Sequence, residues 1–108
     1  MEGTRQPAQD GVVRVLVLWI RCYVISADED ARWAQEETEK LRACEGVLGL
    51  TLHRVEKAGT RHVRQWDWCL ELHVADGEVV RQRRFAEFVA DLRLLGTRPA
   101  VLALPEGV

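Results

Sequence analysis

The clearest pattern along the chain is the alternation of apolar and polar residues that is typical of β-strands. It predicts strands at residues 12–24, 47–56 and 66–74. A shorter apolar run at residues 100–104 lies between Pro99 and Pro105. Proline cannot donate a ladder hydrogen bond, so this flanking favours an edge position for the fourth strand.

Two segments with helical spacing separate these strands. The first begins at the capping-box sequence Ser26-Ala27-Asp28-Glu29 and carries a narrow stripe of small residues. The second runs from about residue 78 to residue 95 and is followed by Gly96, a typical helix stop. The element order β-α-β-β-α-β predicts an α+β, ferredoxin-like fold with a four-stranded antiparallel sheet and both helices on one sheet face.

Alternation divides the third predicted strand into an apolar face and a polar face. Its polar face is expected to carry Asp67, Cys69, Glu71 and His73. In the first strand, the bulkier and more polar set is placed on that same side of the sheet: Val15, Val17, Trp19, Arg21 and Tyr23. Because no helix would cover this mixed surface, we expect a second copy of the chain to pack on it.

Composition and length limit the class of protein. The 108 residues are expected to form a flexible leader at 1–11 and a single domain at 12–108. A net charge of -2 supplies no general attraction to nucleic acid or to anionic membranes. The three cysteines lack metal or disulfide spacing, and no signal or membrane-spanning run is evident. We therefore expect a soluble, cytoplasmic protein with no membrane partner.

Glu71 and His73 are the first candidates for chemistry. Side chains two apart on a strand emerge about 7 Å apart on one face, within reach of a shared proton. Burial would raise the pKa of the Glu71 carboxyl and favour an acid-base pair, whereas the alternative interpretation is a salt-bridged pair that lines a dimer interface. His53 on the adjacent strand could complete a metal set with both, but no ligand motif supports one, and we expect no metal.

The end of the first strand supplies the other candidates. Trp19, Arg21 and Tyr23 could bind a planar ligand, with Arg21 pairing an acidic or enolate oxygen. Alternatively, Trp19 is interface core and Arg21 pairs with Glu71 across the strands. The predicted catalytic residues are Glu71, His73 and Arg21, the predicted ligand-binding residues are Trp19, Tyr23, His53 and Cys69, and no cofactor is expected.

Two segments resemble motifs of the dimeric α+β barrel superfamily, in particular its Dabb-type and antibiotic-biosynthesis-monooxygenase-like members. Residues 41–50, LRACEGVLGL, resemble "L-R-x-x-x-G-V-x-G", and residues 66–72, WDWCLEL, resemble "Y-D-L-x-L-x". The resemblance spans residues 12–104 and implies a homodimer through open sheet faces with a small-molecule pocket. The chain lacks the first-strand catalytic His of the polyketide-cyclising members and contains no Asn, so no catalytic residue is carried over.

These features predict a small-molecule-binding dimer, such as a cofactor-free cyclase, isomerase or monooxygenase acting on an aromatic or polyketide-like substrate. The alternative is a non-catalytic ligand-binding or stress-associated structural dimer. RNA-recognition modules share the element order, but Asp67 and Glu71 would repel phosphate and the third strand lacks their Gly-aromatic pattern. We therefore expect no nucleic-acid partner.

Overall fold

A four-stranded antiparallel sheet with two α-helices organises the part of the chain that the computed structural model describes, residues 13–55 and 66–105. The elements are β1 Val13–Trp19, α1 Ala27–Glu39, β2 Val47–Arg54, β3 Trp68–Val74, α2 Arg83–Leu94 and β4 Ala100–Pro105. The predicted leader and most of the β2-β3 connection lie outside the described residues. The strand order is β2-β3-β1-β4, which confirms the predicted fold class and the edge position of the last strand.

The first strand is shorter than predicted because its continuation forms different hydrogen bonds. β1 ends at Trp19. The backbone N–H of Arg21 donates to the Asp67 carboxylate at 2.7 Å, and that of Cys22 donates to the Asp30 carboxylate at 3.2 Å. These acceptors replace a sheet partner, so Arg21 and Tyr23 lie in a connection and not on a strand.

The prediction that Val15, Val17 and Trp19 lie on the same side of the sheet as Glu71 and His73 is wrong. Val15, Val17 and Trp19 pair with residues on the apolar side of β3 and are buried beneath the helices. The Trp19 ring stacks on Trp68 at a centroid distance of 6.4 Å and meets Phe88 edge-on at 5.8 Å. This aromatic packing fixes the orientation of the strand, because reversing it would expose all three side chains.

Both helices contribute a buried stripe to this core. The Ser26 capping box is present at the start of α1, as predicted. Ala34, Thr38 and Leu41 are buried from the first helical segment, and Trp33 is partly buried and packs against the core. The core residues of α2 are Phe85, Phe88 and Leu92.

The second predicted helix is divided in two. A 3₁₀ helix, Gly77–Arg81, precedes α2, and Gln82 between them is extended, with φ -73° and ψ 146°. The Gln82 side chain donates to the Glu45 carbonyl at 2.6 Å and accepts from the Glu45 N–H at 3.2 Å. This reciprocal pair holds Gln82 out of the helix. At the other end, Gly96 has φ +88° and stops α2 as predicted.

A β-bulge in β2 changes which leucines reach the core. The register shifts between Val47 and Gly49, so Val47 pairs with the buried Val74 while Leu48 is 66% exposed. Leu50 and Leu52 return to the helix side of the sheet. Strict alternation along residues 47–56 predicts that Leu48 shares a face with Leu50 and Leu52, and the bulge makes this prediction wrong.

Asp30 is a buried anchor between α1 and the sheet that the sequence pattern did not indicate. It is 2% exposed and accepts hydrogen bonds from the Trp68 indole Nε1 at 2.8 Å and from the Cys22 backbone. No helix in the described ranges is long and apolar enough to cross a membrane.

We expect Asp30→Ala to lower the free energy of unfolding by about 2–4 kcal/mol, because it leaves two buried N–H donors without an acceptor. Asp28→Ala is the matched control, since Asp28 is an exposed acid in the same helical turn. Its cost should stay below about 1 kcal/mol. Urea denaturation measures both, and equal losses would show that the buried bonds contribute nothing.

Candidate functional site

The sheet face opposite the helices, called here the open face, is apolar along β1 and β4 and polar along β2 and β3. Direct cross-strand partners lie on the same side of a sheet, and Leu16 pairs with both Glu71 and Leu102. The open face consists of Arg14, Leu16 and Leu18 on β1, Gly49, Thr51 and His53 on β2, Cys69, Glu71 and His73 on β3, and Ala100, Leu102 and Leu104 on β4.

Glu71 lies at the centre of the polar half and contacts three basic side chains. Its Oε1 lies 3.2 Å from His53 Nε2, and its Oε2 lies 3.3 Å from Arg14 Nη1 and 3.5 Å from His73 Nε2. His53 and Arg14 are on the strands that flank β3, diagonal to Glu71 in the register. We call these four residues the Glu71 cluster.

The electrostatics of this cluster differ from the prediction. The hydrogen bond from His53 holds the pKa of the Glu71 carboxyl below its usual value of 4.5; burial opposes this effect, and Arg14 and His73 reinforce it. The expected rise through burial is therefore wrong, because attraction to three basic groups exceeds the desolvation cost. Glu71 is an anion at neutral pH and acts as a hydrogen-bond acceptor.

An ionised Glu71 determines what His53 can do. A carboxylate only accepts hydrogen bonds, so His53 Nε2 donates to Glu71 and Nδ1 is the nitrogen able to take up a proton. His53 also makes the shorter of the two His–Glu71 contacts. The geometry therefore favours His53, predicted only as a ligand-binding residue, as the better oriented proton acceptor.

Cys69 lies next to this cluster as a partly buried thiol. Burial raises its pKa, and the nearby Glu71 carboxylate raises it further. Both effects favour the protonated thiol over the thiolate, which is consistent with a packing role. Among the described residues, no group of three or more His, Cys, Asp or Glu side chains has an arrangement that could hold a metal ion.

The remaining predicted site residues lie elsewhere. Trp19 is in the core. The Arg21 guanidinium lies 4.4 Å from the centre of the Tyr23 ring, and the Tyr23 hydroxyl donates to the Asp67 carboxylate at 3.3 Å. The structure thus brings together His53, Cys69, Glu71 and His73 but separates them from Trp19, Arg21 and Tyr23.

Sequence reasoning missed Arg14 as a member of the cluster. A cation inside an otherwise apolar strand was the available signal, because such a residue needs a carboxylate partner on the same face. Once β1 is oriented correctly, Arg14 is opposite His73 and beside Glu71.

Comparison with known proteins defines the fold. The sequence matches no protein-family model and no curated protein. A Dabb family protein from Mesorhizobium loti has a similar structure, with a TM-score of 0.66 and 17% identity over 91% of this chain and 100% of that chain. A dimeric ferredoxin-like protein of unknown function from Thermobifida fusca gives a TM-score of 0.61, with 13% identity over 89% and 93% of the two chains.

HapK from Hahella chejuensis is also similar, with a TM-score of 0.63 and 15% identity over 89% of this chain and 94% of that chain. Identities this low show a shared fold and nothing finer. The chain has the ferredoxin-like fold of the Dabb family protein. The ferredoxin-like fold expected from the resemblance is therefore confirmed.

Because the Glu71 carboxyl has a lowered pKa, its ionised form contributes stability that is fully present above about pH 4.5 and is lost as the pH falls through the folded-state pKa. We expect the unfolding free energy of the wild type to decrease more steeply than that of Glu71→Gln between about pH 5 and pH 3. Chemical denaturation at each pH measures the difference.

Glu78→Gln is the control for this experiment, since Glu78 is an exposed acid whose carboxylate lies 3.6 Å from the Arg81 guanidinium. It should retain the steep wild-type pH dependence. Parallel curves for wild type and Glu71→Gln would contradict the lowered pKa.

Proposed function

We propose that the protein is a homodimer in which two open faces pack together and enclose a small-molecule site beside each Glu71 cluster. The division of the open face into an apolar half and an ionic half carries this proposal. Leu102 is 47% exposed, and Leu16 and Leu18 are only partly covered. A contiguous apolar strip of this kind favours a protein partner, and the dimeric Thermobifida fusca protein of the same fold supports a second copy.

The chemistry we propose for this site is proton transfer. Glu71 orients His53, and His53 Nδ1 takes a proton from an acidic C–H or O–H group, while His73 offers a second imidazole at the same carboxylate. Moving a proton changes no oxidation state, so the step balances with side chains alone and needs no cofactor. An isomerase or cyclase reaction fits this chemistry.

The substrate class follows from the surface beside the cluster. Leucine side chains of β1 and β4 favour an apolar molecule, and the imidazoles favour one with an acidic proton next to a carbonyl group. An aromatic or polyketide-like ketone meets both conditions. Trp19, Arg21 and Tyr23 are not part of this proposal, because none of them lies on the open face.

A non-catalytic dimer is the second candidate, and one observation favours it. Three basic groups surround Glu71, as in an ion cluster that stabilises an interface. In that case the cluster would set the alignment of the two chains and the site would bind ligands without turnover.

The dimer is tested by Leu102→Lys. Since Leu102 is 47% exposed in the single chain, the protomer should fold, but a lysine buried at an apolar interface should weaken association about a hundredfold. Leu94→Lys on α2 is the control, because Leu94 is 84% exposed and lies away from the open face. Sedimentation equilibrium at micromolar concentration should show a dimeric wild type and Leu94→Lys but a monomeric Leu102→Lys.

Proton transfer is tested with 2-tetralone, an aromatic ketone with exchangeable C–H groups beside its carbonyl. We expect the wild-type protein in D₂O to accelerate deuterium incorporation at least about a hundredfold over buffer, as measured by proton NMR. His53→Gln should abolish the acceleration while the dimer persists, because the amide can donate to Glu71 but cannot accept the proton.

Glu78→Gln serves as a surface control and should exchange 2-tetralone at the wild-type rate. If the wild type binds 2-tetralone without accelerating exchange, the non-catalytic dimer is favoured. If His53→Gln matches the wild type, His53 is not the proton acceptor.

A further inference from the structure

A small cavity lies where the start of α1 approaches the ends of β2 and β3. Its volume is about 170 Å³. Sites for drug-sized molecules begin at roughly 300 Å³, so this space suits a ligand of only a few heavy atoms. None of its lining residues belongs to the Glu71 cluster, and we call it the α1 cavity. It is lined by Arg21, Ala27, Asp30, Arg54, Val55, Asp67 and Trp68.

Arg21 brings an unused hydrogen-bond donor to this region. Its guanidinium is held in place by the Tyr23 ring and by a bond from Nη2 to the Ile25 carbonyl at 3.1 Å. Its Nε is buried and has no hydrogen-bond partner among the described residues. Buried donors in folded proteins nearly always have an acceptor, so an acceptor is missing here.

Arg54 provides a second guanidinium with unused donors. Its side chain is exposed, its guanidinium lies 4.8 Å from the centre of the Trp68 ring, and it makes no ion pair with a carboxylate of the described residues. The ring is fixed in turn by the bond from Trp68 Nε1 to Asp30. Stacking on a fixed indole orients the guanidinium without occupying its N–H groups.

The acidic residues of the α1 cavity already accept hydrogen bonds. Asp30 accepts from Cys22 N and Trp68 Nε1, and Asp67 accepts from Arg21 N and the Tyr23 hydroxyl. Each of these carboxylates therefore already has at least two donors, whereas Arg21 Nε has no acceptor among the described residues.

We propose that the α1 cavity binds a small oxyanion, a carboxylate or a phosphate, whose oxygens accept hydrogen bonds from the guanidinium groups of Arg21 and Arg54. Guanidinium groups match both kinds of anion through paired N–H bonds. The site is separate from the open face, so it can bind its ligand whether or not the Glu71 cluster is catalytic.

The test is a nitrogen-15 NMR titration of the full chain with sodium acetate and, separately, with sodium phosphate, at constant ionic strength. The reporters are the Arg21 Nε–H and Trp68 Nε1–H resonances. We expect both to shift saturably with at least one anion. Saturation with acetate alone identifies a carboxylate site, and saturation with phosphate alone identifies a phosphate site.

Arg54→Gln should weaken this binding about tenfold or more, since it removes a charged donor. Arg32→Gln is the matched control, because it removes the same charge from an exposed position on α1 and should bind as the wild type does. If the Trp68 resonance shows that Arg54→Gln does not fold, Arg54→Lys replaces it. The lysine keeps the charge but loses the planar fork, and we expect several-fold weaker binding.

Three results would overturn the proposal. The first is the absence of a saturable shift with either anion. The second is equal affinity of the wild type and the Arg54 variant. The third is an equal loss of affinity in Arg32→Gln, which would show that the weaker anion binding results from the loss of any positive charge and not from the loss of Arg54 in particular.

Discussion

The pairing register of β1 with β3 is the constraint on which the rest of the structure depends. It sets Val17 opposite Leu70 and Leu16 opposite Glu71, so every second side chain of the two central strands enters the core and the others reach the open face. A shift of one residue would place Glu71 on the same side of the sheet as Trp19, so that either Glu71 is buried beneath the helices or Trp19 is exposed. The position of the Glu71 cluster and the aromatic packing of Trp19 are therefore consequences of the same register.

Local sequence patterns predicted the elements whose signals are local. The capping box at Ser26, the stop at Gly96 and the two-faced β3 depend on neighbours within a few residues, and all three are confirmed. The orientation and end of β1 could not be predicted in this way. Both of its faces are apolar, and the choice between them comes from Trp68 and Phe88, which are distant in the chain.

In the candidate site as well, features that depend on local sequence could be predicted and features that depend on distant contacts could not. Alternation along β3 placed Glu71 and His73 on one face, and the predicted sheet placed His53 near them on the adjacent strand, as the structure shows. The sign of the pKa shift of Glu71 could not be predicted, because it depends on how many basic side chains reach one carboxylate. The contribution of Arg14 was not predicted either, because its contact with Glu71 follows only from the correct orientation of β1.

The central claim is that two copies of the chain pack through their open faces, and an isotope-filtered NOE experiment tests it most directly. Mixing labelled and unlabelled protein allows NOEs between chains to be separated from those within a chain. We expect intermolecular NOEs from the methyl groups of Leu16, Leu18 and Leu102. Intermolecular NOEs from Leu94 on α2 in their place, or none in a sample at micromolar concentration or above, would contradict it.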